Sequence, residues 1–300
     1  MKAFLLAAGL GERLRPVTGK RPKPLVPVMN VPVVCFAIML LIEAGISEIV
    51  CNLHYMGGSI IDYLKDSGYF GLDIRFSEEE EILGTGGGLY RCMEEFKEPF
   101  VLINSDIITD IDLSGMISAW NMGSVPSVLA LHSAAGSSGG ATVSVKGDRI
   151  IDFKNALGTG CEPVFDYMGM AVLDPSVFSG LVQDNSSIVY TGYTSLVKDN
   201  SLGYYEHRGE WYDIGKIESY RNACLSLLQN EDLRKRLYRA TGKKAVAVAD
   251  TAQIHGSAEV TGSVIGHRCR VGHSAVIENS VLLPGAVVGD GEVIRQQVIV

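Results

Sequence analysis

The sequence predicts an α/β chain: a doubly wound, mixed but mainly parallel sheet followed by a short left-handed parallel β-helix. Three observations predict it. Short apolar runs alternate with helix-length segments from Ala3 to about Ala240, the pattern of βαβ units. Glycine turns and carboxylates follow several of those runs, where open α/β sheets bind ligands beyond the carboxyl ends of their strands. From Ala245 the apolar period changes to six residues. The implied division is 1–241 for the α/β part and 245–300 for the repeat.

Ala3 to Ala8 is an uncharged apolar run, long enough for one buried parallel strand. Gly9 and Gly11 break it, and Arg13, Arg15, Lys20, Arg21 and Lys23 follow within a few turns of chain. Glycines let backbone N–H groups approach phosphate oxygens, and the cations neutralise them. Two familiar phosphate motifs are excluded. GxxxxGK[ST] finds Glu12-Arg13 where it needs Lys-Ser/Thr, and GxGxxG finds Leu14 at its third glycine. Val31–Glu43 reads as a buried helix stopped by Gly45. Ile49–Leu53 and Leu72–Phe76 read as strands, with a helix at Ser59–Asp66 between them. Glu78 to Glu81 reads as a solvated loop. Gly84, Gly86, Gly87 and Gly88 open a helix at Leu89–Phe96 and leave backbone bare beside a ligand.

Phe100–Ile103 is a further buried strand, and Asn104-Ser105-Asp106 stands at its carboxyl end. A carboxylate there suits Mg²⁺, which takes one or two carboxylates together with substrate phosphate oxygens. Asp110 and Asp112 read as loop and cap residues before a helix at Leu113–Met122. Pro126–His132 is a strand. Thr142–Val145 and Ile150–Phe153 form a hairpin about Lys146-Gly147-Asp148. After a strand at Leu202–His207 comes Trp211-Tyr212-Asp213-Ile214-Gly215, then one long helix over Lys216–Ala240. In the tail, Val248, Ile254 and Val260, then Ile265, Val271 and Ile277, then Leu282, Val288, Ile294 and Val300 recur at six. Two five-residue slips fall at corners, giving roughly three coils of about eighteen residues. An open coil end would expose strand edges, so self-association is expected. His267 and His273 occupy equivalent repeat positions facing solvent.

The net charge of −8 argues against general nucleic-acid binding. No run of eighteen apolar residues is present, so no membrane span is expected. The six cysteines show no CxxC spacing and read as buried, reduced thiols of a cytoplasmic protein.

The opening pattern LxxGxGxRxRPxT…PKPLxPV, carried by Leu6, Gly9, Gly11, Arg13, Pro16, Thr18, Pro22, Lys23, Pro24, Leu25 and Pro27, closely resembles the signature of the sugar-1-phosphate nucleotidyltransferases. Leu83 to Leu89 resembles that family's LGTxGA segment, Asn104-Ser105-Asp106 its metal-binding G/N-x-D, and Trp211 to Gly215 its W-x-D-[IV]-G. The resemblance implies a Rossmann-like nucleotidyltransferase fold and transfer of a nucleotidyl group from an NTP to a sugar 1-phosphate. It implies Mg²⁺ on Asp106 and Asp213, with Asn104 beside it. Arg13 would hold the β- and γ-phosphates, and Lys23 the α-phosphate or the acceptor phosphate. Gly9 and Gly11 would supply backbone donors. Leu6, Ala7, Gly86 and Gly87 would line the base, with Glu81 near the ligand. The chain departs from the family where Glu-Lys-Pro is common and Phe153-Lys154-Asn155 stands, and where Asn-x-Gly-[IV]-Tyr becomes Tyr167-Met168-Gly169-Met170-Ala171. Lys154 is the candidate replacement for the missing lysine, and Gly169 is kept. GTP with mannose 1-phosphate or a related sugar is the first expectation, because of the tail. Uridylyl or thymidylyl transfer to another sugar phosphate or a phosphorylated alcohol is the second. A regulatory pseudoenzyme that binds an NDP-sugar, and an acyltransferase built on the β-helix, are the rivals. The latter needs more coils than this tail has.

Overall fold

A computed structural model describes residues 1–133 and 141–300. The chain divides into two compact units, one of residues 1–10 and 40–211, the other of residues 11–39 and 212–300.

The first unit is built on a nine-stranded mixed sheet. Its strands are β1 (Ala3–Leu6), β2 (Glu48–Leu53), β3 (Asp73–Glu78), β4 (Phe100–Asn104), β5 (Ser127–Ser133), β6 (Val143–Lys146), β7 (Arg149–Phe153), β8 (Phe165–Leu173) and β9 (Leu202–His207). They lie in the order β3-β2-β1-β4-β8-β5-β9-β7-β6. The pairs β3–β2, β2–β1, β1–β4 and β5–β9 are parallel, and β8 and β7 run against their neighbours. β1 is apolar throughout because it is buried on both faces: Ala3, Phe4 and Leu5 have no exposure. Phe4, Leu102, Leu129 and Ala171 face one core with Leu89, Phe96, Ile188, Tyr193 and Leu196. Parallel register sets Leu6 opposite both Asn52 and Asn104, so β1, β2 and β4 end in one row.

Helices α1 (Val34–Glu43), α2 (Gly57–Asp66), α3 (Gly84–Arg91) and α4 (Leu113–Met122) follow the expected alternation, with two differences, and a short α5 (Thr194–Lys198) that the sequence pattern does not announce is added before β9. First, α1 begins at Val34, because Val31–Pro32 is extended and pairs with Pro27–Val28 in a hairpin. A residue before proline is pushed out of the helical region. Second, α3 takes in the glycine run itself and ends at Arg91, and a 3-10 turn covers Met93–Glu95. Asp112 caps α4 as expected, accepting from the Gly115 amide at 2.9 Å.

In the second unit the expected single helix is two: α6 (Ile217–Gln229) and α7 (Glu231–Thr241). Asn230 breaks it. Its backbone leaves the helical region and its side chain accepts from the Leu233 amide at 2.8 Å, capping α7 above the acidic first turn of Glu231 and Asp232. The tail forms three parallel three-stranded sheets consistent with a β-helix. Ile254 lies beside Val271 and Val271 beside Val288, so each coil advances by 17 residues rather than eighteen. The short step recurs at every third corner, where Gly262, Asn279 and Gln296 each turn the chain alone with positive φ. A third slip therefore puts Ile299, not Val300, beside Leu282 in the core. Buried Ser263 and Ser280 continue the stack, Ser263 Oγ accepting from the Ser280 amide at 3.0 Å. His267 and His273 are exposed, as expected.

Five cysteines are buried and Cys161 is exposed. Burial pushes the Cys51 and Cys224 thiols up to about 12, which keeps them unreactive. No helix among the described residues is long and apolar enough to cross a membrane.

Asp152, at the end of β7, is fully buried and organises the loop after it. It accepts from the Phe153, Leu157 and Thr159 amides and the Thr159 hydroxyl at 2.8 to 3.0 Å. Burial alone would raise its pKa, but these hydrogen bonds outweigh burial and hold the carboxyl below its ordinary value. A depressed folded pKa adds stability above the unfolded value, about 4, and that contribution is lost as pH falls through the folded value. Asp152→Asn should therefore cost about 1–3 kcal/mol at pH 7. Urea melts should show the gap from the parent narrowing below about pH 4, where the parent carboxylate is itself titrated.

Candidate active site

In the first unit the site grows from the row of strand ends. The Leu6 carbonyl accepts from the Ser105 amide at 3.0 Å and its hydroxyl at 2.7 Å. The Ala7 amide donates to Asn52 Oδ1 at 2.9 Å, and Asn52 Nδ2 donates to Glu79 Oε1 at 2.8 Å. Glu79 Oε2 accepts from the Leu83 amide at 2.9 Å, immediately before α3. A buried relay thus joins the turn after β1 to the amino end of α3. Its two side chains are nearly inaccessible, Asn52 at 1% and Glu79 at 5% exposure. Neither stood out in the sequence. Within the run of four glutamates Glu79 is the buried one, whereas Glu81 is exposed.

The glycine run serves a close approach within the protein. The Gly86 amide donates to the Ser186 carbonyl at 2.8 Å, the Ser186 amide to the Leu83 carbonyl at 3.0 Å, and the Ile188 amide to Thr85 Oγ1 at 2.9 Å. A Cβ on Gly86 would sit 2.6 Å from Ser186 Oγ, and one on Gly87 would overlap the Asp184 carbonyl. One on Gly88 would sit 2.6 Å from Glu79 Oε1. Gly86 and Gly87 are demanded by the 184–188 segment packed on α3, and Gly88 by Glu79, partners that the sequence spacing does not reveal. At Gly9, by contrast, a Cβ would meet nothing within 4 Å.

Asn104 and Gly169 are brought together. β8 shifts register between Tyr167 and Ala171, Gly169 adopts φ +79°, and a Cβ there would be 2.5 Å from Asn104 Nδ2. Asp106 follows in the turn after β4, half-buried. Lys154 is exposed at the start of the Asp152 loop. Asp110, read as a loop residue, reaches across the chain: its Oδ1 accepts from the Glu210 amide at 2.7 Å and lies 2.9 Å from His207 Nε2. It thereby fixes the turn after β9.

In the second unit, the expected cation turn is compact. Gly11 adopts φ +66°, and its carbonyl accepts from the Leu14 amide at 3.1 Å and from Thr18 Oγ1 at 2.8 Å. A Cβ on Gly11 would press on the Thr18 methyl at 2.9 Å and approach Lys23 Cβ at 3.4 Å. Lys23 Nζ lies 3.7 Å from Asp213 Oδ1, the lysine mostly buried and the aspartate half-exposed. Gly215 leaves space that a Cβ would fill at 3.1 Å from Asp213 Oδ2 and 3.3 Å from Arg13 Nη2. Arg13, Lys23 and Asp213, separated by up to 200 positions in sequence, thus share one cluster. Two cations beside one carboxylate leave a net positive receptor suited to phosphate.

For a metal, the donor chemistry is decisive. No group of three or more His, Cys, Asp or Glu side chains among the described residues could hold an ion by itself. Single carboxylates such as Asp106 and Asp213 fit Mg²⁺, which completes its shell with waters and substrate phosphate oxygens.

Comparison with known proteins agrees with this chemistry. A family model described as nucleotidyl transferase matches residues 2–149, and one described as GlmU-like, C-terminal hexapeptide matches residues 235–300. A mannose-1-phosphate guanyltransferase of Candida albicans is 31% identical over 272 residues, covering 85% of this chain and 73% of that protein. An N-acetylmuramate alpha-1-phosphate uridylyltransferase of Neisseria meningitidis is 29% identical over 223 residues, covering 72% of this chain and 94% of its own. Among solved structures, a Bacillus anthracis protein assigned as a glucose-1-phosphate thymidylyltransferase superposes with a TM-score of 0.68 at 22% identity. It covers 79% of this chain and 98% of its own, and shares the fold.

The two kinds of glycine should separate by mutation. Gly87→Ala should cost about 1–3 kcal/mol in urea unfolding, because the facing Asp184 carbonyl is backbone and the helix-propensity gain of about 1 kcal/mol does not offset the overlap. Gly9→Ala should change stability by less than about 0.5 kcal/mol.

Proposed function

The chain belongs to the sugar-1-phosphate nucleotidyltransferases, and from that premise we propose that it catalyses NTP plus sugar 1-phosphate to NDP-sugar plus pyrophosphate. The observation that carries this is the cluster of Arg13, Lys23 and Asp213 behind the Gly11 turn. The sugar phosphate oxygen attacks the α-phosphorus in line as pyrophosphate leaves, with no covalent intermediate. Catalysis is then positioning and charge neutralisation. Arg13 holds the β- and γ-phosphates and offsets the charge on the leaving pyrophosphate. Lys23 carries its ammonium to the α-phosphate or the acceptor phosphate, and Lys154 is the second candidate for the latter. Gly9 and Gly11 present backbone donors. Leu6, Ala7, Gly86 and Gly87, held in place by the Asn52–Glu79 relay, shape the base side, with Glu81 at its margin. Asn104 and Gly169, which lie against each other, complete the substrate-binding set. Asp106 and Asp213 would hold Mg²⁺, which supplies charge stabilisation on the phosphates.

GTP with mannose 1-phosphate or a related sugar is the favoured pair, supported by relatives such as the Candida guanyltransferase, whose likeness covers 85% of this chain. Uridylyl transfer to an N-acetylated or muramic sugar phosphate is the second reading, supported by the likeness across nearly all of the Neisseria uridylyltransferase. The catalytic part is assigned to residues 1–241 and a left-handed β-helix to residues 245–300. Self-association through the coil and a cytoplasmic location complete the proposal.

Pyrophosphate release with Mg²⁺ tests it, using GTP, UTP, dTTP, CTP and ATP against a panel of sugar 1-phosphates. One pair should turn over. Asp106→Asn and Asp213→Asn should each lower kcat for that pair by about 10²–10³-fold while leaving the circular dichroism spectrum intact. Nucleotide binding without release for any pair would favour the pseudoenzyme instead.

A further inference from the structure

The cation turn that carries Lys23 runs straight into a hairpin whose tip is fastened to the β-helix. Pro27–Val28 pairs with Val31–Pro32, Val28 opposite Val31, so Met29 and Asn30 alone make the loop. Both have positive φ, +47° and +68°, the conformation of a type I′ turn. Asn tolerates that region, but Met rarely occupies it, and such a residue persists where surrounding structure holds it. Here the surroundings are explicit. Asn30 Nδ2 donates to the Val246 carbonyl at 3.0 Å and to the Ile265 carbonyl at 3.1 Å. The Val246 amide donates to the Met29 carbonyl at 3.0 Å. Val248 bridges to Ile265, so the two carbonyls that Asn30 joins belong to successive levels of the coil. At the hairpin's base, Tyr220 Oη on α6 donates to the Pro27 carbonyl at 2.6 Å.

The route from tip to cation is short and continuously bonded. The Val33 amide donates to the Val26 carbonyl and the Val26 amide to the Lys23 carbonyl, both at 3.0 Å. Lys23 in turn abuts Gly11 and pairs with Asp213. We propose that Asn30 is a positioning residue of the transferase, fixing the Lys23 turn by tying its hairpin to the first coil of the β-helix, so that the coil acts as a buttress for phosphate binding. This rests on the function proposed above. A turn role alone accounts for an Asn at position 30 but not for two donor bonds that leave the hairpin.

Losing the tie lowers the fraction of molecules whose cation turn is ready to bind, and the apparent affinity falls by that fraction while the saturated rate is kept. The test compares the full-length parent with Asn30→Asp, which keeps size and turn preference but cannot donate, and with Asn30→Gly, which favours the turn and removes the side chain. Ile277→Val, in the coil core, serves as a control of reduced stability that leaves the tie intact. Both Asn30 variants should raise KM for the NTP by about ten-fold with kcat within about two-fold. Both should also speed amide hydrogen exchange across residues 20–33, whereas Ile277→Val should do neither. Unchanged exchange in the Asn30 variants, or an equal rise in KM with Ile277→Val, would overturn the proposal. The exchange readout needs no turnover. If the parent releases no pyrophosphate, the transferase reading fails, and exchange still decides whether the tie exists.

Discussion

A buried carboxylate with its donors supplied by amides sets the terms for the first unit. Glu79 sits at 5% exposure between Asn52 Nδ2 and the Leu83 amide. Burying such a group is costly unless its lone pairs are met, so its position is strongly specified. Because Asn52 passes the constraint on to the Ala7 amide, the turn after β1 and the start of α3 cannot move independently. The absence of side chains at Gly86, Gly87 and Gly88 follows from the same crowding, since Glu79 and the 184–188 segment occupy the room. The helix then begins with its positive end already answered by the protein's own carboxylate. An uncharged group suits that end better than a phosphate does.

Much of this was legible in the sequence because it rests on local chemistry. β1 reads as buried because it is apolar at every position, and the turn at Gly11 is legible because glycines break the apolar run there. The six-residue period of the tail reports its inward side directly. What escaped was long-range. The Asn52–Glu79 pair is 27 positions apart and Asp110 meets its partners about 100 positions away, and nothing in the local pattern marks them. The reason for the glycine run was also hidden: the spacing shows that backbone must come close to something, not that the something is Ser186. The break at Asn230 was visible in composition, an Asn before two acids, but the helical run around it conceals the cap. The roles of the individual site residues follow from resemblance and charge, and their proof is kinetic.

The two units divide the work differently from the linear order of the chain. The glycine turn and its cations, early in sequence, fold with the segment after residue 211 rather than with the sheet that precedes them. Lys23 and Asp213 meet for that reason, and the hairpin after Lys23 is shaped as much by the tail as by its own turn propensity.

The 17-residue coil has an evolutionary corollary. Every third corner is a single left-handed residue, Gly262, Asn279 or Gln296, each seventeen positions from the next, and the paired inward side chains rest on those seventeen positions on. Inserting or deleting one residue would rotate all later side chains out of the core, whereas copying a whole level leaves each contact intact. In descent, such a tail grows or shrinks by complete turns, so its length is inherited in discrete steps.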